Sequence, residues 1–243
     1  MKLTHKTIVI TGGNSGIGFC LAKHLHANKN TITIVSRSQN NWETLQQELP
    51  GIDLIQCDLS NKNEVKQLAK ILNKLPIELF INCAAVQYEP KITDSAFSFD
   101  GIEKEITTNF TAIVWLCHLL IPQLSQQPES GIVNLSSGLA IYPKSSSAVY
   151  CASKAALHSF SQSLRYQLET SQLQISEVIL PLVDTPMTAG RSQDKKISAE
   201  VAANAIIHGI ENGRDEIYVG KAKLLPIMSR VWPSLIKKIL KRY

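Results

Sequence analysis

The chain has none of the features that would confine it to a special structural class. Its five cysteines, Cys20, Cys57, Cys83, Cys117 and Cys151, are odd in number, widely spread and without a CxxC pair. That pattern excludes a disulfide framework and a cysteine-based zinc cluster, and it fits a reducing compartment. Glycine (12) and proline (10) are too scarce for collagen or a low-complexity linker, and 44% apolar with 19% charged residues is too hydrophobic for a disordered chain. Long apolar runs are missing as well. The longest uncharged stretch, Ile106 to Pro128, is broken by Asn109, His118, Pro122 and several glutamines, which makes it a poor membrane span. The opening MKLTHKTIVITGG offers one short strand-like run before its glycines, far short of an export-signal core, so a cytoplasmic location is expected. His5, His24, His26, His118, His158 and His208 show no HExxH or other ligand spacing, so no metal site is expected.

What is present is enough apolar material for one sizeable core in 243 residues. No 20- to 50-residue period and no Gly/Ser- or Pro-rich linker divides the chain, so one domain over residues 1–243 is expected. The formal charge of +5 is a property of the tail: residues 221–243 hold seven Lys or Arg and no acid, which leaves −2 for the rest. A nucleic-acid partner is therefore not expected.

Short β-branched runs alternate with longer segments of helical period, the pattern of parallel strands joined by crossover helices. Strands are expected at Thr7 to Thr11, Thr31 to Ser36, Asp53 to Cys57, Leu79 to Asn82, Gly131 to Ser136, Gln174 to Leu180 and Glu216 to Val219. Helices are expected at Ile17 to Asn28, Asn41 to Leu49, Asn63 to Leu75, Gly101 to Ser125, Val149 to Thr170 and Ala199 to Asn212. Seven strands and six helices make an α/β, doubly wound, seven-stranded parallel sheet flanked by helices, with a ligand crevice at the carboxyl ends of the strands. The least regular stretch, Asp184 to Ile197, follows the sixth strand and is read as a loop over that crevice, either a substrate lid or a solvated connection.

Four local patterns carry chemistry. After the first strand, Gly12, Gly13, Asn14, Ser15, Gly16, Ile17 and Gly18 lead into a helix; glycines permit a tight turn and close approach of the backbone to a pyrophosphate, and the helix amino terminus offers free N–H groups. Such a turn fits a dinucleotide, or is only a tight strand-to-helix connection. The second strand ends in Ser36-Arg37-Ser38, with no carboxylate to receive a ribose 2′-hydroxyl, so Arg37 favours NADP over NAD unless it is merely solvated at the sheet edge. Tyr150 and Lys154 stand four apart on one helix face, where an ammonium favours a phenolate and readies it for proton exchange with an alcohol or carbonyl. The fourth, Asn134-Leu135-Ser136-Ser137-Gly138, ends the fifth strand thirteen residues before that tyrosine.

In this order and spacing TGGNSGIG, NCAA at Asn82 to Ala85, Asn109, NLSSG and YCASK resemble the short-chain dehydrogenase/reductase family, from about Thr7 to Val219. Within it, SSGLA, VYCASKAALHS, SLRYQLE and LVDTPM are similar to the bacterial DltE-like oxidoreductases. The resemblance implies a Rossmann fold and an NADP-dependent oxidoreductase of carbonyl or alcohol substrates, with a homodimer or homotetramer as partner state. It implies that Tyr150 is the general acid/base, that Lys154 lowers the phenol's pKa and bonds the nicotinamide ribose, that Ser137 holds the substrate oxygen, and that Asn109 fixes a water in a proton relay. It further implies that Asp58, beside Leu59, meets the adenine, that Asn82 and Ala84 line the cofactor crevice, and that Thr185, after Val183, bonds the carboxamide. A catalytically silent NADP-binding sensor or scaffold is the rival expectation; the complete set Asn109, Ser137, Tyr150 and Lys154 speaks for the enzyme.

Two departures from the family pattern stand out. NCAA replaces NNAG, so Cys83 and Ala85 occupy the places of an asparagine and a glycine, and Pro181-Leu182 replaces a Pro-Gly pair. Gln87, Leu139, Ile141, Tyr142 and Met187 are expected to wall an apolar substrate pocket. Phe110, Ile113, Val114, Trp115, Leu116, Phe160 and Leu164 carry apolar surface suited to subunit contact, or else serve the core. In the tail, Leu224, Leu225, Met228, Val231, Trp232, Leu235, Ile239 and Leu240 beside Lys237, Lys238, Lys241 and Arg242 form a basic amphipathic pattern. It suits a peripheral contact with an anionic membrane, or a cap over the substrate pocket or a partner subunit, the latter favoured because Pro226 and Pro233 interrupt a continuous helix.

Overall fold

The computed structural model describes residues 1–88, 91–191 and 196–234. β1 (Thr7–Thr11), β2 (Thr31–Ser36), β3 (Asp53–Gln56), β4 (Leu79–Asn82), β5 (Ser130–Ser137) and β6 (Leu173–Leu180) form a parallel sheet whose last strand is β9 (Glu216–Tyr218). The order is β3-β2-β1-β4-β5-β6-β9, with every pairing parallel. The chain runs outward from β1 to β3 and then returns to β4 on the other side of β1. Loops on the two sides of that reversal diverge, and the gap between them is where an open parallel sheet accepts a ligand.

Side chains alternate across the sheet with period two. Ile8, Ile10, Ile32 and Ile34 join one core with Leu21 and Leu25 of α1 (Gly16–Ala27), Leu45 of α2 (Trp42–Glu48) and Ala202, Ile206 and Ile210 of α7 (Ala199–Glu211). Val9, Val35 and Phe80 face the opposite core, with Val65, Leu68 and Leu72 of α3 (Lys62–Leu72), Leu116 and Leu120 of α5 (Ala112–Leu124), and Leu157 and Leu164 of α6 (Ala148–Gln167). Helices thus cover both faces, and the seven-stranded, doubly wound Rossmann sheet is as expected.

Two elements differ from expectation. The helix expected over Gly101 to Ser125 is α4 (Phe99–Ile106), a π turn at Thr107–Thr111 and then α5. A π turn widens the backbone spiral and re-aims side chains, which periodicity does not reveal. The stretch after β6 is not wholly irregular: β7 (Val183–Asp184) pairs with β8 (Ile197–Ser198), a 3₁₀ turn spans Pro186–Thr188, and Ser192 to Lys195 lie outside the described residues. A 3₁₀ turn at Gly220–Leu224 leads into α8 (Leu225–Val231). Leu235 to Tyr243, with most of the tail's cations, also lie outside the described residues.

Candidate active site

The Gly12 to Gly18 turn owes its shape to contacts that leave no room for side chains. Gly12 has φ +69°, and a Cβ there would lie 2.8 Å from the Ala84 Cα. A Cβ on Gly18 would lie 2.2 Å from the Gly12 carbonyl oxygen, so only glycine lets α1 start this close to the turn. Thr11 pins the facing loop. Its hydroxyl accepts the amides of Cys83 and Ala84 at 3.1 and 3.2 Å. Gly12, Asn14, Ser15, Gly16, Ile17 and Gly18 all line one crevice of about 810 Å³, together with Arg37, Asp58, Leu59, Ala84, Val183 and Thr185. This glycine-lined cradle at a helix amino terminus, with an exposed arginine at the end of β2, fits a dinucleotide.

Ser137, Tyr150 and Lys154 line the same crevice. β5 ends at Ser137, and α6 returns across it so that the Lys154 Nζ donates to the Leu135 carbonyl at 2.7 Å. Burial pulls the Lys154 ammonium down to about 8, against weaker opposite effects of Cys83, Glu177 and Glu105. The Tyr150 phenol is pushed up, chiefly by burial and next by the Cys151 and Glu105 charges; Arg191 and a hydrogen bond with Ser137 pull it back. Loss of water thus sets the direction for the phenol, in place of the lowering expected from Lys154, whose ammonium lies 5.8 Å from the ring centroid.

Asn109 and Asn82 lie beneath the crevice rather than along it. Asn109 is fully buried in the π turn, where it donates to the Val86 carbonyl and to Ser153 Oγ at 2.8 and 3.2 Å, while its oxygen accepts the Val86 amide at 2.8 Å. Asn82 donates to Asn134 Oδ1 at 2.9 Å and joins β4 to β5 under the floor. Asp58 caps its own turn by accepting from Ser60 N and Oγ at 2.9 and 2.7 Å. Ala85 keeps a negative φ, so the missing glycine of NCAA introduces no strain.

Of the expected pocket residues, Gln87, Leu139 and Met187 line the crevice, with Leu182, Leu224, Leu225 and Met228. Ile141 and Tyr142 do not; they pack under Ala222, Leu225 and Met228 and seat α8. The described part of the tail thus caps the crevice. The apolar set on α5 and α6 divides: Ile113, Leu116 and Leu164 belong to the core, and Phe110, Val114, Trp115 and Phe160 are half-buried, with Phe110 and Phe160 edge to face at 6.1 Å.

Several site residues escaped the motifs. Arg191 donates to Gln87 Oε1 at 2.6 Å, and Gln87 donates to Ser147 Oγ at 2.8 Å, a strap across the crevice mouth. Glu105, on α4, is 1% exposed with Oε1 unpartnered, and burial lifts its carboxyl to about 7. His158, one of the histidines without ligand spacing in the sequence, bonds Glu177 at 2.7 Å, and Glu216 lies close by. This cluster joins three distant segments, and linear spacing cannot show it. Glu216 is engaged by Arg165 and Tyr218.

This fold and crevice define a nucleotide-binding oxidoreductase architecture, and comparison with known proteins agrees. The family model "short chain dehydrogenase" matches residues 6–196, and the chain belongs to that family. It is 39% identical to the "Uncharacterized oxidoreductase DltE" of Bacillus subtilis (strain 168), over 89% of each chain. A short chain dehydrogenase from Burkholderia cenocepacia in complex with NADP has the same fold, with TM-score 0.87 and 23% identity over 99% of each chain. One from Burkholderia phymatum in complex with NAD gives TM-score 0.84 and 20% identity, covering 100% of this chain and 98% of that one. No described helix is long and apolar enough to cross a membrane.

Proposed function

We propose that the protein is an NADP-dependent reductase or dehydrogenase of a carbonyl/alcohol pair. One observation carries this reading: the Gly12 to Gly18 cradle and the Ser137, Tyr150 and Lys154 side chains open onto one continuous crevice. A bound nicotinamide would supply or accept the hydride. The chain's own residues do the rest. Gly12, Asn14, Ser15, Gly16, Ile17 and Gly18 would receive the pyrophosphate, Arg37 a 2′-phosphate, Asp58 and Leu59 the adenine, and Ala84, Val183 and Thr185 the nicotinamide side. Ser137 would orient the substrate oxygen, and Tyr150 would give or take its proton. Held on Leu135, Lys154 would stabilise the phenolate and fix the ribose. Asn109 would act from below, by holding the Val86 backbone and the Ser153 hydroxyl, which donates to the Tyr150 carbonyl at 2.8 Å.

Assembly as a homodimer or homotetramer through Phe110, Val114, Trp115 and Phe160 belongs to the same reading. A peripheral membrane contact would use Ile227, Val231 and Trp232, which are exposed on and just after α8. The deciding experiment follows NADPH and NADH absorbance with a panel of aldehydes and ketones, and NADP and NAD reduction with the matching alcohols. Turnover with a preference for NADP is the expected result. Tight cofactor binding without turnover of any panel member would support a silent sensor or scaffold instead.

A further inference from the structure

One group of side chains outside the crevice has the composition of a cation site. Glu177 on β6 and Glu216 on β9 are direct partners in a parallel pairing, so both side chains leave the same face of the sheet. Leu173 and Ile175, four and two residues before Glu177, put that face under α6, in the core that they share with Leu157 and Leu164. His158, next to Leu157, meets the two carboxylates there. Its Nδ1 lies 2.7 Å from Glu177 Oε2, and one ligand atom from each of His158, Glu177 and Glu216 lies within 4.8 Å of the other two. Among the described residues no other three His, Cys, Asp or Glu side chains converge in this way, and none of these three lines the crevice. Glu177 supplies a second, independent observation. It is fully buried, and its Oε1 has no hydrogen-bond partner. A carboxylate taken this far out of water needs partners for both oxygens, and one imidazole serves only one. Arg165 does not fill the need: it reaches Glu216 Oε1 at 3.4 Å and the Asp215 carbonyl at 3.1 Å, while Tyr218 donates to Glu216 Oε2 at 2.9 Å. These bonds hold Glu216 from outside, as the neighbours of a ligating carboxylate do, and leave further lone pairs on its oxygens.

We propose that His158, Glu177 and Glu216 form a binding site for a divalent transition-metal ion of the zinc class, which ties α6 to the edge strand β9. One neutral imidazole and two carboxylates match the charge of a divalent ion, and the imidazole favours zinc over magnesium or calcium. Three protein ligands leave a fourth, tetrahedral position for water, on the side where His158 and Glu216 are partly exposed. Ligands around a tetrahedral zinc stand about 3.3 Å apart, so the His158–Glu177 pair opens by about half an ångström as Nδ1 exchanges its hydrogen bond for the metal. The inference is independent of the reductase reading, because the site lies outside the crevice.

The test uses the full chain, stripped of metal with a chelator. Calorimetric titration with Zn²⁺ is expected to show one ion per chain with micromolar or tighter affinity, and Co²⁺ in its place to give the visible absorption of a nitrogen/oxygen site. Glu177→Gln and Glu216→Gln keep the side-chain shape and remove a ligand charge, and each is expected to weaken binding by at least about tenfold. Their folds are verified by thermal transitions without metal, and Glu216→Gln, at the sheet edge, decides the matter should the buried change at Glu177 prevent folding. Zn²⁺ at about a hundred times its Kd is expected to raise the melting temperature of the parent by about 5 °C or more, and that of Glu216→Gln by less. His24→Ala removes a different histidine–glutamate pair, His24 with Glu200, and is expected to bind Zn²⁺ like the parent. Absence of saturable binding by the parent at submillimolar Zn²⁺, or unchanged binding in either folded glutamine variant, would overturn the site. Loss of binding in His24→Ala would move the ion elsewhere and overturn it as well.

Discussion

Asn109 clamps Val86 by both backbone groups, accepting its N–H and donating to its carbonyl, each at 2.8 Å. The amide side chain thus replaces a missing strand partner for the loop that follows β4, and its second N–H reaches Ser153, whose hydroxyl ties back to the Tyr150 carbonyl. Asn109→Ala leaves the half-buried Val86 groups without their side-chain partner, which costs about 1–3 kcal/mol. For a chain of this size that lowers the melting temperature by roughly 2–4 °C per kcal/mol. Turnover is expected to fall with it, because the loop carries Gln87 at the crevice mouth. A thermal melt superimposable on the parent's would show that the clamp does not hold the loop.

Tyr150→Phe removes one hydroxyl and keeps the ring. NADP titration is expected to give nearly the parent affinity and turnover to fall by at least about 10²-fold, since only the transferable proton is lost. Near-parent turnover would exclude Tyr150 as the acid/base.

Arg37 stands exposed at the carboxyl end of β2, with no acid beside it in sequence. Arg37→Asp would repel a 2′-phosphate and accept a 2′-hydroxyl, so the ratio of NADP to NAD affinity is expected to fall by at least about tenfold. If NADP bound equally well to both proteins, the arginine would have no part in selection.

The sheet was legible because its strands are short β-branched runs set between longer segments of helical period, and their bounds were met within one residue, from Thr7–Thr11 to Leu173–Leu180. The glycine turn was legible because glycine at Gly12 and Gly18 answers a steric demand. What was hidden depends on contacts between distant segments. Asn109 and Asn82 are spaced as crevice residues, yet tertiary packing turns them beneath it. Arg191 is an ordinary surface cation in sequence and meets Gln87 across the crevice only in the fold. Glu105 looks like one more acid on an amphipathic helix, and only the burial of α4 against α6 removes it from water.

Gly18→Ala tests the cradle. The new Cβ would sit 2.2 Å from the Gly12 carbonyl oxygen, which is backbone and cannot rotate away. Either the turn or the first residues of α1 must shift, at about 1–3 kcal/mol, and cofactor affinity is expected to drop sharply because the same backbone faces the pyrophosphate. Unaltered NADP binding and an unaltered melt would mean that the turn tolerates a side chain and is no close-approach site.

Glu105 makes stability depend on pH in a direction opposite to that of most carboxylates. Burial raises its carboxyl from 4.5 to about 7, against the pull of the Tyr88 amide and the Lys154 ammonium, so between these values the folded protein holds a proton that the unfolded chain has released. Stability contributed by a group that binds more protons when folded declines as pH rises. The loss begins near pH 4.5 and is complete above about pH 7, where a buried charge must be accommodated beside Tyr150 and Cys151. Glu105→Gln is neutral throughout and escapes this loss. Its melting temperature relative to the parent is therefore expected to rise from pH 4.5 to pH 7 and to level off above. Other groups whose ionisation changes on folding, such as His158, which Glu177 holds above the usual histidine range, are common to both proteins and cancel in the difference. A difference that stays constant with pH would show that Glu105 ionises at the same pH in the folded and unfolded chain.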